Sequence, residues 1–140
     1  MVRVLLDTCV LSELRRDGGD PSVQAAVRAY ASNDVYFSVI TIGEISKGLS
    51  LLPSGQRREA LETWLQKTEI EYRDRILPIG IDVARIWGEL AAQNARAGTP
   101  VDAADGLIAA TAQYHQLPVM TRNVRHFQPT GVQIINPWQE

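Results

Sequence analysis

The chain opens with an apolar run, residues 2–6, that breaks on the polar triplet Asp7-Thr8-Cys9. A short stretch, apolar except for Arg3 and with two valines, predicts a β-strand buried on both faces. Over residues 8–16 the period lengthens: Val10, Leu11 and Leu14 share one side with charges opposite, as in an amphipathic helix. Asp17-Gly18-Gly19-Asp20 is a break, and Pro21 suits the first turn of a second helix carrying Val23, Val27 and Tyr30. Residues 35–39, β-branched and aromatic, predict the second strand. From Thr41 the helical spacing returns in Ile42, Ile45 and Leu49. Ser54 then stands where it can cap a helix carrying Leu61, Trp64 and Leu65.

Residues 76–79 predict a short third strand, and Pro78 argues against a central place for it in a sheet. Val83, Ile86, Trp87, Leu90 and Ala91 mark a helix over 82–97 that Gly98 stops. A long helix over 102–115, a strand over 118–121, a short turn and a last strand over 132–135 complete the pattern. Strands alternate with helices throughout. The expected fold class is therefore α/β, a mainly parallel central sheet with helices on both faces. No repeat, low-complexity tract or linker divides the chain, so residues 1–140 are expected to form one domain.

Composition narrows the setting. A chain of 140 residues buries an adequate core without disulfide or metal staples. No stretch approaches the roughly 18 apolar residues of a membrane span. The N-terminus carries its acid too early for a signal peptide and lacks a small-residue cleavage site. Cys9, the single cysteine, makes neither an intramolecular disulfide nor a thiolate metal cage. A cytoplasmic protein is expected. Fourteen basic against sixteen acidic residues give a formal charge of −2, unlike the strong positive balance common among nucleic-acid binders. That balance is compatible with an acidic metal site flanked by local basic patches, for which Arg57, Arg58, Lys67, Arg73, Arg75, Arg122 and Arg125 are candidates.

Ligands of open parallel sheets bind at the carboxyl ends of the strands. The polar residues gather there: Asp7 after the first strand, Glu44 after the second, Asp102 and Asp105 opening the long helix, and Thr121, Arg122 and Asn123 after the next strand. Each has an ordinary structural account. Asp7 and Thr8 can be helix caps, and Asp102 and Asp105 can complement a helix dipole. Glu44 can be a surface residue, although Ile40, Thr41, Ile42 and Ile45 around it leave no obvious exposed face. Brought to one rim, however, carboxylates repel unless a cation joins them. Mg²⁺, or Mn²⁺ in its place, takes oxygen ligands alone and can activate water against a phosphodiester.

Other chemistries are poorly supported. Cys9 and Arg15 have the C-x5-R spacing of a phosphatase loop, but the interval is already amphipathic helix and puts Glu13 where the anion would bind. Neither glycine-rich nucleotide cradle occurs, and His115 and His126 are too isolated to suggest zinc. The tryptophans at 64, 87 and 138 read as packing.

Four blocks, LLDTCVLSEL, FSVITIGEISKGL, PVDAADGLIAATA and VMTRNVRHF, followed by INPW, resemble the PIN-domain ribonucleases, most closely the VapC or FitB-like toxins of bacterial toxin–antitoxin pairs. The likeness covers nearly the whole chain in matching order. It implies a single PIN-like domain and a Mg²⁺-dependent endoribonuclease. It further implies a homodimer, a higher toxin–antitoxin assembly, and a cognate antitoxin whose C-terminal segment occludes the acidic cleft. Asp7, Glu44 and Asp105 match the family acids and are the implied metal ligands and catalytic residues, with Asn123 beside them. Thr8, Asp102 and Thr121 are supporting residues, and Arg122 and Arg125 are expected to engage RNA. Two departures stand out: Cys9 replaces the asparagine usual after Asp-Thr, and Asn123 and His126 occupy places where a fourth acid often stands. The alternative that these departures open is a PIN-like nucleic-acid-binding module with impaired catalysis.

Overall fold

A computed structural model describes residues 2–138; Met1, Gln139 and Glu140, which the expected 1–140 domain includes, lie outside the described residues. Five strands, β1 (Val4–Leu6), β2 (Val35–Ser38), β3 (Ile76–Leu77), β4 (Val119–Met120) and β5 (Ile134–Ile135), form one sheet in the order β3-β2-β1-β4-β5. Every pairing is parallel, with Val4 opposite Val35, Leu5 opposite Val119 and Phe37 opposite Ile76. β3, which ends at Leu77 just before Pro78, lies at the sheet edge, where a residue without an N–H is tolerated.

Seven α-helices connect and cover the strands: α1 (Thr8–Arg15), α2 (Pro21–Arg28), α3 (Val39–Ser50), α4 (Gln56–Glu71), α5 (Ile81–Arg96), α6 (Ala103–His115) and α7 (Val124–Phe127). The central strand β1 shows why its sequence is apolar without alternation. Leu5 points into a core with Ile108, Ala109, Ala112 and Phe127, while Val4 and Leu6 point into a second core with Val10, Val23 and Met120. Helices thus cover both faces, and every β1 side chain is buried. Small residues on α6 let α5 and the sheet approach closely: an added methyl at Gly106 would stand 3.1 Å from the Trp87 ring. No helix among the described residues is long and apolar enough to cross a membrane.

Three local expectations are corrected. Val39 belongs to α3 rather than to the strand before it, because the buried Ser38 accepts from the Ile40 N–H at 3.0 Å and caps the helix two residues early. Ser54 does not cap α4; Gly55 holds that position with φ 152°, and no side chain caps the helix. The turn expected after β4 contains the one-turn helix α7 and a 3-10 turn, Gln128–Thr130, whose Phe127 is pulled fully into the core.

Gly19, between α1 and α2, has a steric requirement that its sequence does not announce. A methyl group there would lie 2.6 Å from the Glu13 carbonyl oxygen, a backbone atom that cannot swing aside. Gly19→Ala is therefore expected to cost about 1–3 kcal/mol through overpacking, read as a lower melting temperature.

Candidate active site

The parallel register sets Asp7 beside Thr121. The Asp7 N–H donates to the Met120 carbonyl at 2.9 Å, and the Thr121 N–H donates to the Ile135 carbonyl at 2.9 Å, so both side chains leave the carboxyl edge of the sheet together. Asp7 is the N-cap of α1, its Oδ1 accepting the Thr8 N–H at 2.8 Å. Its Oδ2 accepts the Thr121 hydroxyl at 2.7 Å. The carboxylate is only 3% exposed, and the hydroxyl that holds it is completely buried. Capping and site chemistry are therefore not rival accounts of Asp7, since the cap is part of what fixes its orientation.

Asn123 extends this chain of contacts through its backbone, its N–H donating to Thr121 Oγ1 at 2.9 Å. Cys9 lies alongside, its thiol 3.5 Å from Asp7 Oδ2 and 3.6 Å from Thr121 Oγ1. Burial, and then the Asp7 charge, push the thiol pKa upward. A thiol so placed stays protonated at neutral pH and is no nucleophile. It is a weak donor to the carboxylate where an amide would have been a strong one.

Glu44 projects from the second turn of α3 and is exposed, which corrects the impression of a residue hemmed in by isoleucines. The Thr8 hydroxyl donates to its Oε1 at 2.6 Å. Thr8 and Thr41 oxygens are 3.0 Å apart; with the single Thr8 proton given to Glu44, the buried Thr41 hydroxyl supplies the proton of this second contact. Thr41 is a member of the site that the apolar run around it concealed.

Asp105 stands in the first turn of α6 and is half-buried, with its carboxyl held above the usual aspartate range. Burial is the main cause, followed by the Asp7 charge, with Glu44 and Asp102 adding to it and His126 opposing. Acids from the β1–α1 junction, α3 and α6 thus share one field. His126 Nδ1 lies 3.2 Å from Asp105 Oδ2. Asp102 occupies the N-cap position of α6, yet its side chain caps nothing and is exposed; its contribution is charge. Arg125 lines a pocket of about 310 Å³ with Asp102, Asp105 and His126. Arg122 instead lies over the Trp138 ring at 5.3 Å, toward the C-terminal segment.

The donors are oxygens, the set a hard divalent cation prefers. Among the described residues no three of His, Cys, Asp and Glu stand close enough to enclose an ion. Mg²⁺ is ordinarily held by one or two carboxylates with water completing its shell, so a loose ring of acids suits it where a tight cage is not required.

The raised Asp105 pKa carries a stability consequence. The folded state binds the Asp105 proton more tightly than the unfolded chain, so ionising it at neutral pH opposes folding. Asp105→Asn is expected to melt above the parent in EDTA at pH 7. The gain should shrink as pH falls through the parent's raised Asp105 pKa toward the ordinary carboxylate value, which melting curves across acid pH would show.

Comparison with known proteins identifies the family. A PIN-domain family model matches residues 4–131. The chain is 37% identical to the VapC ribonuclease Y4jK of Sinorhizobium fredii, over 97% of this chain and 98% of that protein. It is 36% identical to the toxin FitB of Neisseria gonorrhoeae, over 98% and 99%. Among solved structures, FitAcB from Neisseria gonorrhoeae superposes with a TM-score of 0.90 at 36% identity, covering 98% of this chain and 99% of that one. FitAB bound to a DNA fragment superposes at 0.89 with 35% identity, over 98% and 96%.

Proposed function

The chain belongs to the PIN-domain family, and on that premise we propose that it is a Mg²⁺-dependent endoribonuclease, the toxin of a toxin–antitoxin pair. The observation that carries this reading is the common field of Asp7, Glu44 and Asp105. Burial, and then the charges of Asp7 and Glu44 brought in from two other elements, raise the energy of ionised Asp105, and a cation would offset that charge repulsion. The relatives support it by their names, a VapC ribonuclease and a toxin, and by solved complexes with partners.

Asp7 and Asp105 would hold the ion, with Glu44 as a further ligand or as general base. The ion, when bound, lowers the pKa of a water and offsets charge on the phosphodiester. The chain's own contribution is orientation. Thr121 and the Thr8 N–H fix both oxygens of Asp7, and the Thr8 hydroxyl fixes Glu44 at a point where it can take a proton from the attacking water. Arg125, which lines the pocket with Asp105, is a candidate RNA contact, and Arg122, lying over Trp138, is a more distant one. A homodimer and a cognate antitoxin, in complexes of the FitAB kind, are the partners this reading implies.

The test is incubation of the purified protein with single-stranded and structured RNA in Mg²⁺ and then in EDTA. Cleavage that EDTA stops is expected. Binding that survives EDTA with no cleavage in either condition would identify a binding module instead. A second readout needs no turnover: Mg²⁺ is expected to raise the melting temperature of the parent and not that of Asp105→Asn. Removing the Thr8 hydroxyl, in Thr8→Val, frees Glu44 to wander and is expected to lower cleavage by about 10-fold; because the buried Thr41 hydroxyl loses its acceptor, it should also cost about 1–3 kcal/mol in stability, read as a lower melting temperature.

A further inference from the structure

A groove of about 270 Å³ runs from the candidate site across α1, α3 and α4. Thr8 and Glu44 line its inner end, and Ser12, Arg15, Arg57 and Trp64 line the rest over a floor of leucines. The groove therefore reaches the candidate site at Glu44 rather than lying apart from it. Its two arginines are what distinguish it. The Arg15 guanidinium rests over the Trp64 ring at 5.9 Å, which holds it at the groove instead of in bulk water.

Neighbouring charges are already committed. Glu13 accepts from Arg16 at 3.4 Å and from the Asp20 N–H at 2.8 Å, and Arg58 pairs with Glu62 at 2.9 Å. Among the described residues neither Arg15 nor Arg57 has a carboxylate partner. A positive groove with an aromatic platform is the combination that binds single-stranded nucleic acid: cations track the phosphates while apolar and aromatic surface receives the bases. The charge order matches a strand crossing the site, with its scissile phosphate at the acids and the neighbouring phosphate at the guanidiniums.

Resting on the ribonuclease reading, we infer that this groove is an RNA subsite in which Arg15 and Arg57 hold a phosphate flanking the scissile one. Trp64 is a positioning residue that keeps Arg15 in place and offers its ring to a base.

The test uses a fluorescent single-stranded RNA of mixed sequence and the Asp7→Asn protein, so that binding is read without cleavage. Arg15→Gln and Arg57→Gln, separately introduced, are expected to weaken binding several-fold and to flatten the slope of log Kd against log salt by about 0.7 per lost contact. The Mg²⁺-induced melting shift, measured with the same substitutions in the otherwise parental protein, is expected to stay unchanged. Trp64→Leu should reproduce the Arg15→Gln effect and Trp64→Phe should largely rescue it. Variants with parental affinity and slope would overturn the subsite alone, provided the parent binds and cleaves. A parent that neither binds nor cleaves RNA would overturn the ribonuclease reading along with it. Variants that keep RNA affinity but lose a co-purified protein partner would assign the groove to that partner, overturning the RNA assignment.

Discussion

Asp7→Asn is expected to abolish RNA cleavage while leaving a folded protein. The loss should exceed the roughly 10–100-fold that removal of an outer-shell partner costs, because the substitution removes charge from the innermost acid. The fold should tolerate it for a specific reason. An asparagine oxygen can still accept the Thr8 N–H, so the cap of α1 survives. The amide then meets Thr121 as donor rather than acceptor, and the Thr121 oxygen already accepts from the Asn123 N–H. That rearrangement costs on the order of 1 kcal/mol. Removing a charge that raises Asp105 works the other way. Near-parental melting with no turnover is the expected outcome, measured by circular dichroism and by RNA cleavage. Mg²⁺-dependent cleavage by the folded variant would remove Asp7 from the mechanism.

Thr121→Val tests how the buried hydroxyl orients the site. The swap preserves shape and deletes a single oxygen that donates to Asp7 and accepts from Asn123. Asp7 would keep its cap but lose the contact that fixes Oδ2, and the Asn123 N–H would lose its acceptor. Both consequences are buried or half-buried. A loss of about 1–3 kcal/mol in stability and about 10–100-fold in cleavage is expected. Thr121→Ser, which restores the oxygen, should recover most of the activity even where stability remains lower. If the valine variant cleaves as the parent does, orientation by Thr121 is not part of catalysis.

Much of this was visible in the linear chain. The largely apolar run before Asp7 foretold a strand buried on both faces, and the alternation of strand and helix foretold the parallel sheet, because both patterns follow from local geometry and burial on two faces. The acids at strand ends were legible for the same reason. Boundaries fared less well where a side-chain hydrogen bond decided them: Ser38 starts α3 earlier than hydrophobic spacing suggests, and Ser54 caps nothing. Glu44 looked enclosed because its neighbours in sequence are apolar, yet α3 turns those neighbours toward the protein and the glutamate outward.

By itself the sequence determined the kind of fold, the order of its elements and the residue types able to do the chemistry, since periodicity and composition are carried by neighbours along the chain. Only the tertiary structure decided which hydroxyl holds which acid. Thr121 meets Asp7 across 114 positions, Thr8 meets Glu44 across 36, and Arg15 reaches Trp64 through helix packing. Cys9, the most conspicuous residue of the first motif, became a half-buried, protonated neighbour of the carboxylate. Such pairings depend on sheet register and helix contact, which join residues that no local pattern relates.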